Sequence, residues 1–211
     1  NNYWLIGPLA NQLKKNKVWS LLPVQLRAYL VELEVLYYQR AENIQQEVIF
    51  ACKLLTQASL DVALLKGAAN LFNGVADPIS NRYMSDIDLL VHEDCMSQSE
   101  ELLKSVGYHN DDDEFLIEDH QHHHAPALIR DGGACYVEVH RWVLMKSLNK
   151  LLNEQEVWRD AVPLILNDDL QVKQLHPTQQ IIQSIAHSEI SDRGYDDKHI
   201  DLRQLLNLHA I

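Results

Sequence analysis

The sequence predicts an α+β protein, a small β-sheet core with helical regions before and after it. Three observations carry that reading. Apolar residues at helical spacing run through residues 23–58, short extended runs parted by turn residues fill 59–145, and helical spacing returns from Lys146. The expected organisation is therefore an N-terminal helical region over 1–58, a core over 59–145 and a C-terminal helical region over 146–211.

Near the start, Trp4, Leu5, Ile6, Leu9 and Leu13, then Trp19, Leu21 and Leu22, suggest one or two short helices packed on the body. From Pro23, Leu26, Leu30, Leu33, Leu36 and Tyr37 repeat at three and four, and Ile44, Val48, Ile49, Cys52 and Leu55 continue the stripe. Pro23 and Ser59 bracket one long helix, or two with a break. Residues 61–65 (DVALL) form a short strand candidate, followed by Lys66-Gly67-Ala68 and a helix start. Residues 73–85 are a loop by composition. Residues 96–106 predict a helix ended by Gly107. Residues 108–119 are strongly acidic and predict a solvated loop or hairpin tip. Two extended runs around Asp131-Gly132-Gly133 predict a hairpin. Beyond Lys146, Leu148, Leu151, Leu152 and Trp158 suggest a helical stripe, residues 163–172 a short strand or extended link, and residues 177–190 and 201–208 two further helices.

The central stretch is SDIDLLVH, residues 85–92. Period-two alternation sends Asp86, Asp88 and Leu90 to one face, and Ile87, Leu89 and Val91 to the other. The two carboxylates then lie about 6–7 Å apart along the strand, a spacing suited to gripping a divalent cation. A strand buried on one side and doubly acidic on the other is costly unless a cation or substrate uses the acids. In the later run ACYVEVHRWV the same alternation places Tyr136, Glu138 and His140 together, opposite Cys135, Val137 and Val139. The strand, glycine turn and helix start at residues 61–72 form a phosphate-cradling geometry, or an ordinary strand-to-helix turn.

Composition narrows the function. Hydrophobic residues make up 46% of the chain, enough for a packed core and against disorder. No apolar run approaches the roughly 18 residues of a membrane span, and residues 1–12 lack a signal-peptide pattern. Net charge is −12, which argues against bulk nucleic-acid binding but leaves room for a small phosphorylated substrate carried with magnesium. Three widely spaced cysteines, Cys52, Cys95 and Cys135, suit reduced thiols in a cytoplasmic protein.

The ordered set of motifs resembles the polymerase-beta-like nucleotidyltransferase superfamily, and more closely its uncharacterised bacterial branch. The matching residues are Leu65-Lys66-Gly67, then Arg82 with Asp86-Ile87-Asp88-Leu89-Leu90-Val91, then Gly107-Tyr108, then Val137-Glu138-Val139-His140. Ala186-His187 and Asp201-Leu202-Arg203 also fit. The resemblance implies a small mixed sheet as catalytic core. It implies Asp86, Asp88 and Glu138 as ligands of Mg²⁺, two ions in all, with Glu138 also a candidate general base. It further implies Lys66, Gly67, Ala68, Arg82 and His140 as nucleotide contacts. The reaction would pass a nucleoside monophosphate from an NTP such as ATP to an acceptor hydroxyl on a small molecule, an RNA end or a protein, releasing pyrophosphate. Two features depart from the pattern: Ala68 stands where the turn usually has Ser or Gly, and the gap from Gly67 to Asp86 is long.

The histidines offer other readings. His120, His122 and His124 alternate and so share one strand face, with His123 opposite. They line the acidic face and meet phosphate or acceptor, or are solvated, or hold zinc. Two rivals to the transferase follow: a non-catalytic nucleotide-binding or interaction module, and a zinc-dependent hydrolase built on His120–His124.

Overall fold

The computed structural model describes residues 5–74, 83–110, 122–191 and 194–198, together with 202, 205 and 208. Arg82, His120, the acidic stretch 111–119, Asp201 and Arg203 lie outside the described residues. The N-terminal helices come first: α1 (Ile6–Lys15), a short turn at Trp19–Leu21, and α2 (Val24–Gln57), one unbroken helix of 34 residues. Ser59, at φ +62°, turns the chain out of α2.

Seven strands then build one mixed sheet among the described residues. They are β1 (Ala63–Leu64), β2 (Asp86–Leu90), β3 (Tyr108–Asn110), β4 (Leu128–Arg130), β5 (Tyr136–His140), β6 (Val162–Asn167) and β7 (Leu170–Gln174), in the spatial order β3-β4-β5-β2-β1-β7-β6. β2 runs parallel to β5 and antiparallel to β1. The helices between the strands are α3 (Lys66–Asn70), α4 (Met96–Ser105) and α5 (Glu154–Asp160), and α6 (Pro177–Ala186) and α7 (Gly194–Asp197) follow β7. The architecture is the α+β fold expected. No described helix is long and apolar enough to cross a membrane.

The C-terminal third is less helical than expected, and the short strand or extended link expected over residues 163–172 is a pair of strands. The Leu148–Trp158 stripe is not one helix: α5 starts only at Glu154, capped by the Asn153 side chain, which accepts from the Glu156 N–H. After it, β6 and β7 form an antiparallel hairpin that joins the sheet through β1. Their buried and exposed positions alternate, with Leu164, Leu166, Leu170 and Val172 inward, which is strand period rather than helix period.

The two faces of the sheet are packed differently. Ile87, Leu89 and Val91 of the β2 run, with Val137 and Val139 of β5, join Val48, Cys52 and Leu55 of α2 and Leu103 of α4 in the larger core. Each such side chain contributes roughly 1.5–3 kcal/mol on burial, so this face anchors β2 and β5. On the other face, Leu90 and Leu65 pack with Val143, Leu144, Leu152, Val157 and Leu175 in a smaller core under the C-terminal segment. That core covers only the Leu90 end of β2. The Asp86–Asp88 end of the same face is left to polar side chains.

α2 and α4 also aim the elements that carry these residues. The Arg40 guanidinium donates to the Met84 carbonyl at 2.9 and 3.2 Å, fixing the approach to β2. Gly107, at φ +100°, takes the left-handed conformation that ends α4 and lets the chain enter β3 directly.

Candidate active site

The site is built by register. β2 and β5 pair in parallel with Asp86 opposite Tyr136, Asp88 opposite Glu138 and Leu90 opposite His140. Strand neighbours lie about 4.8 Å apart, so the carboxylates of Asp88 and Glu138 meet on one face although 50 residues separate them in sequence. His140, two positions beyond Glu138 on that face, folds back onto both. Its Nε2 lies 2.9 Å from Asp88 Oδ1 and 3.4 Å from Glu138 Oε2.

Lys66 enters from the end of β1, as the first residue of α3. Leu65 N–H donates to the Asp88 carbonyl, extending the β1–β2 ladder by one residue. Lys66 then turns at φ +45°, a left-handed conformation uncommon for a residue with a side chain. Such strain costs on the order of 1–3 kcal/mol and persists where surroundings impose it. Here the Lys66 Nζ reaches Asp88 Oδ1 at 2.7 Å.

Electrostatics follow from this packing. Burial alone would raise the Asp88 carboxyl, but the Lys66 ammonium and the His140 ring together hold it well below the usual carboxylate range. Burial lowers the His140 ring, and the Asp88 and Glu138 carboxylates more than reverse that, leaving it raised. Glu138 feels burial first, yet His140 leaves it lowered. Asp86 goes the other way: burial and the charges of Asp88 and Glu138 raise it. Lys66, despite burial, is raised by Asp88. The outer end of the site is therefore short of positive charge.

That imbalance is what a hard divalent cation relieves, and the donors fit one. Asp88, Glu138 and His140 each bring a donor atom, and these lie within 4.8 Å of one another. His140 is fully enclosed, with Nε2 turned to the acids and Nδ1 without a hydrogen-bond partner. With the His140 ring held in its charged form by the two acids, the oxygens of Asp88 and Glu138 are the donors left for a hard cation. Asp86 stands outside this tight group, with its Oδ1 taking a hydrogen bond from the Ser85 hydroxyl at 3.1 Å. It nevertheless lies on the same strand face, two residues from Asp88.

The helix start expected to cradle phosphate is closed in part. Gly67 and Ala68 are buried, α3 is only five residues long, and the Ala68 N–H donates to the Leu65 carbonyl. Lys66 is the residue of this turn that reaches the acids. Sequence reasoning did not foresee that Lys66 and His140 would flank Asp88. The Glu-x-His pattern of β5 already puts His140 on the Glu138 face by period two, and the pairing with Asp88 comes from the sheet register.

The histidine segment also reaches the site, but not by alternation. His124 forms an antiparallel bridge with His140, and the chain bends at His122 and His123. As a result His123 does not point away from its neighbours. The His123 and His124 rings each lie 5.1 Å from the His140 ring, and His124 Nε2 is 3.9 Å from Glu138 Oε2. Burial, helped by the charges of His140 and His124, pulls the His123 ring down to about 2.

A search among curated proteins gives no match. A family model described as uncharacterised nucleotidyltransferase matches residues 4–211, which takes in every element of the sheet and both acid-bearing strands, and the chain belongs to that family.

Proposed function

We propose that the protein transfers a nucleoside monophosphate from an NTP to an acceptor hydroxyl and releases pyrophosphate, with Mg²⁺ held by Asp86, Asp88 and Glu138. The observation that carries this reading is the parallel register that sets Asp88 against Glu138, with Asp86 uncompensated beside them. Bound there, Mg²⁺ supplies charge neutralisation for the phosphates and lowers the barrier to the acceptor's attack. The chain's own residues do the rest. Asp88, kept ionised by Lys66 and His140, is a fixed anchor. Glu138 is ionised at neutral pH and one-fifth exposed, so it can accept the proton of an incoming hydroxyl. Lys66 is 22% exposed at its side chain, which leaves its ammonium able to meet a phosphate oxygen as well as Asp88. Arg82 completes the proposed nucleotide contacts, the buried Gly67 and Ala68 shape the turn that presents Lys66, and His140 acts from beneath by orienting Asp88 and Glu138. A net charge of −12 favours a small molecule or a protein side chain over a polynucleotide as acceptor. The composition and free thiols suit a cytoplasmic setting.

A thermal-shift titration with each NTP, with and without Mg²⁺, tests the reading. A ligand at about 100 times its Kd adds about 2.7 kcal/mol of apparent stability, or roughly 5–10 °C for a domain of this size. The expected result is a magnesium-dependent shift with at least one NTP that Glu138→Gln removes. No shift with any NTP in the wild type, or an equal shift without magnesium, overturns the proposal.

A further inference from the structure

The transfer chemistry leaves one cluster unused. His122, His123 and His124 each offer a ring nitrogen, and these three donor atoms lie within 4.8 Å of one another. The backbone that carries them is held firmly. Ala125 N–H donates to the Val139 carbonyl at 2.9 Å, and Arg141 N–H donates to the His123 carbonyl at 2.9 Å. The segment is thus laced to the end of β5.

The individual rings are prepared in different ways. His124 Nδ1 lies 2.7 Å from the Ala125 carbonyl, which can only accept. That nitrogen therefore carries the proton, and in the neutral ring Nε2 is the lone-pair atom. A second hydrogen bond of this kind is the usual device that orients a metal-binding imidazole. His123 Nδ1 is buried and has no hydrogen-bond partner. His122 is exposed and opens the cluster to solvent. Glu138 Oε2 lies 3.9 Å from His124 Nε2, so the cluster borders the acidic site.

We infer that His122, His123 and His124 form a second cation site, for a borderline-soft divalent ion of the zinc class, on the rim of the acidic site. Imidazole donors favour zinc over magnesium, whereas carboxylates favour magnesium, so the two adjoining clusters sort their ions by donor chemistry. Zinc holds imidazole nitrogens at about 2.0–2.1 Å, so side-chain rotations of about an ångström close the set. The site stands independently of the transfer reaction.

The test uses the full chain without an affinity tag. It is loaded with zinc and desalted, its metal content is measured, and cobalt(II) is titrated with visible absorption as the readout. Wild type and the surface control His109→Ala are expected to hold one equivalent with the spectrum of tetrahedral nitrogen coordination. His122→Ala, an exposed position whose change spares the core, is expected to bind at least 10–100-fold more weakly, with an unchanged Tm. Equal affinity in His122→Ala and wild type overturns the site. So does binding that Asp88→Asn abolishes and His122→Ala leaves intact, because the ion would then belong to the acids. Magnesium-dependent NTP binding is titrated separately on the wild type. Its absence alongside histidine-dependent zinc would sink the transferase reading and leave this site standing.

Discussion

The sheet carries a buried charge cluster on each side, and the two are built to opposite rules. On the α2 side, Glu47 takes two hydrogen bonds from Arg130, at 2.8 and 2.7 Å, and one from the Tyr108 hydroxyl. Arg130 also stacks over Phe50 at 4.5 Å. One acid meets one base in bidentate geometry, and the acceptors are filled. On the other side, three acids face one lysine and one histidine, and His140 Nδ1 has no hydrogen-bond partner. A buried ion pair that is closed serves as a tie between elements. A cluster left unbalanced has capacity for a charge the protein does not itself supply. The first cluster joins α2 to β3 and β4, and the second faces the open end of β2 and β5.

The largest expected effect separates the two clusters by activity. Asp86→Asn removes an acid without stripping Lys66 or His140 of a partner. Turnover should fall by about 10²–10³-fold or more, the scale of losing one preorganised electrostatic contact in a reaction, while Tm stays near that of the wild type. A transfer assay beside a melting curve measures both. Full activity in this variant would break the distinction between the clusters.

The next effect is on stability alone. Arg130→Met leaves Glu47 buried without its counter-charge, at a cost of about 3 kcal/mol, the low end of the range for broken buried pairs, because Arg130 is one-third exposed. That lowers Tm by roughly 6–12 °C. Pairing it with Glu47→Gln should recover much of the loss, and activity per folded molecule should be unaffected. A large drop in activity at full folding would make this cluster functional too.

A smaller effect is read against pH. His140 is raised above its ordinary value of 6.5, so its contribution is complete below about pH 6.5 and is lost as pH climbs through the folded value. Asp88 is lowered from 3.8, so its contribution is complete above about pH 4 and is lost as pH falls through its folded value. The cluster therefore stabilises most between these limits. The decline of Tm above pH 6.5 should be present in the wild type and absent in His140→Gln. An identical slope in both would remove His140 from the account.

These contrasts also mark what one-dimensional reasoning can reach. The alternation in SDIDLLVH and YVEVH was enough to sort both strands into an apolar and a polar face, because side-chain direction in a strand depends only on position parity. α2, α4 and the glycine that ends α4 were legible for similar local reasons. The C-terminal hairpin was not, because its short alternating runs become strands only when β1 offers an edge to pair with. The bend that turns His123 onto His140 was hidden for the same reason: it is imposed by hydrogen bonds to residues 139–142. Lys66 and Asp88 are 22 residues apart, Asp88 and Glu138 fifty, and Glu47 and Arg130 eighty-three. By itself the sequence determined which residues could share a face and which carried chemistry. Only the tertiary structure decided which of those faces meet, because a strand's partners and register depend on the whole sheet, and charge balance depends on every side chain brought within a few ångströms.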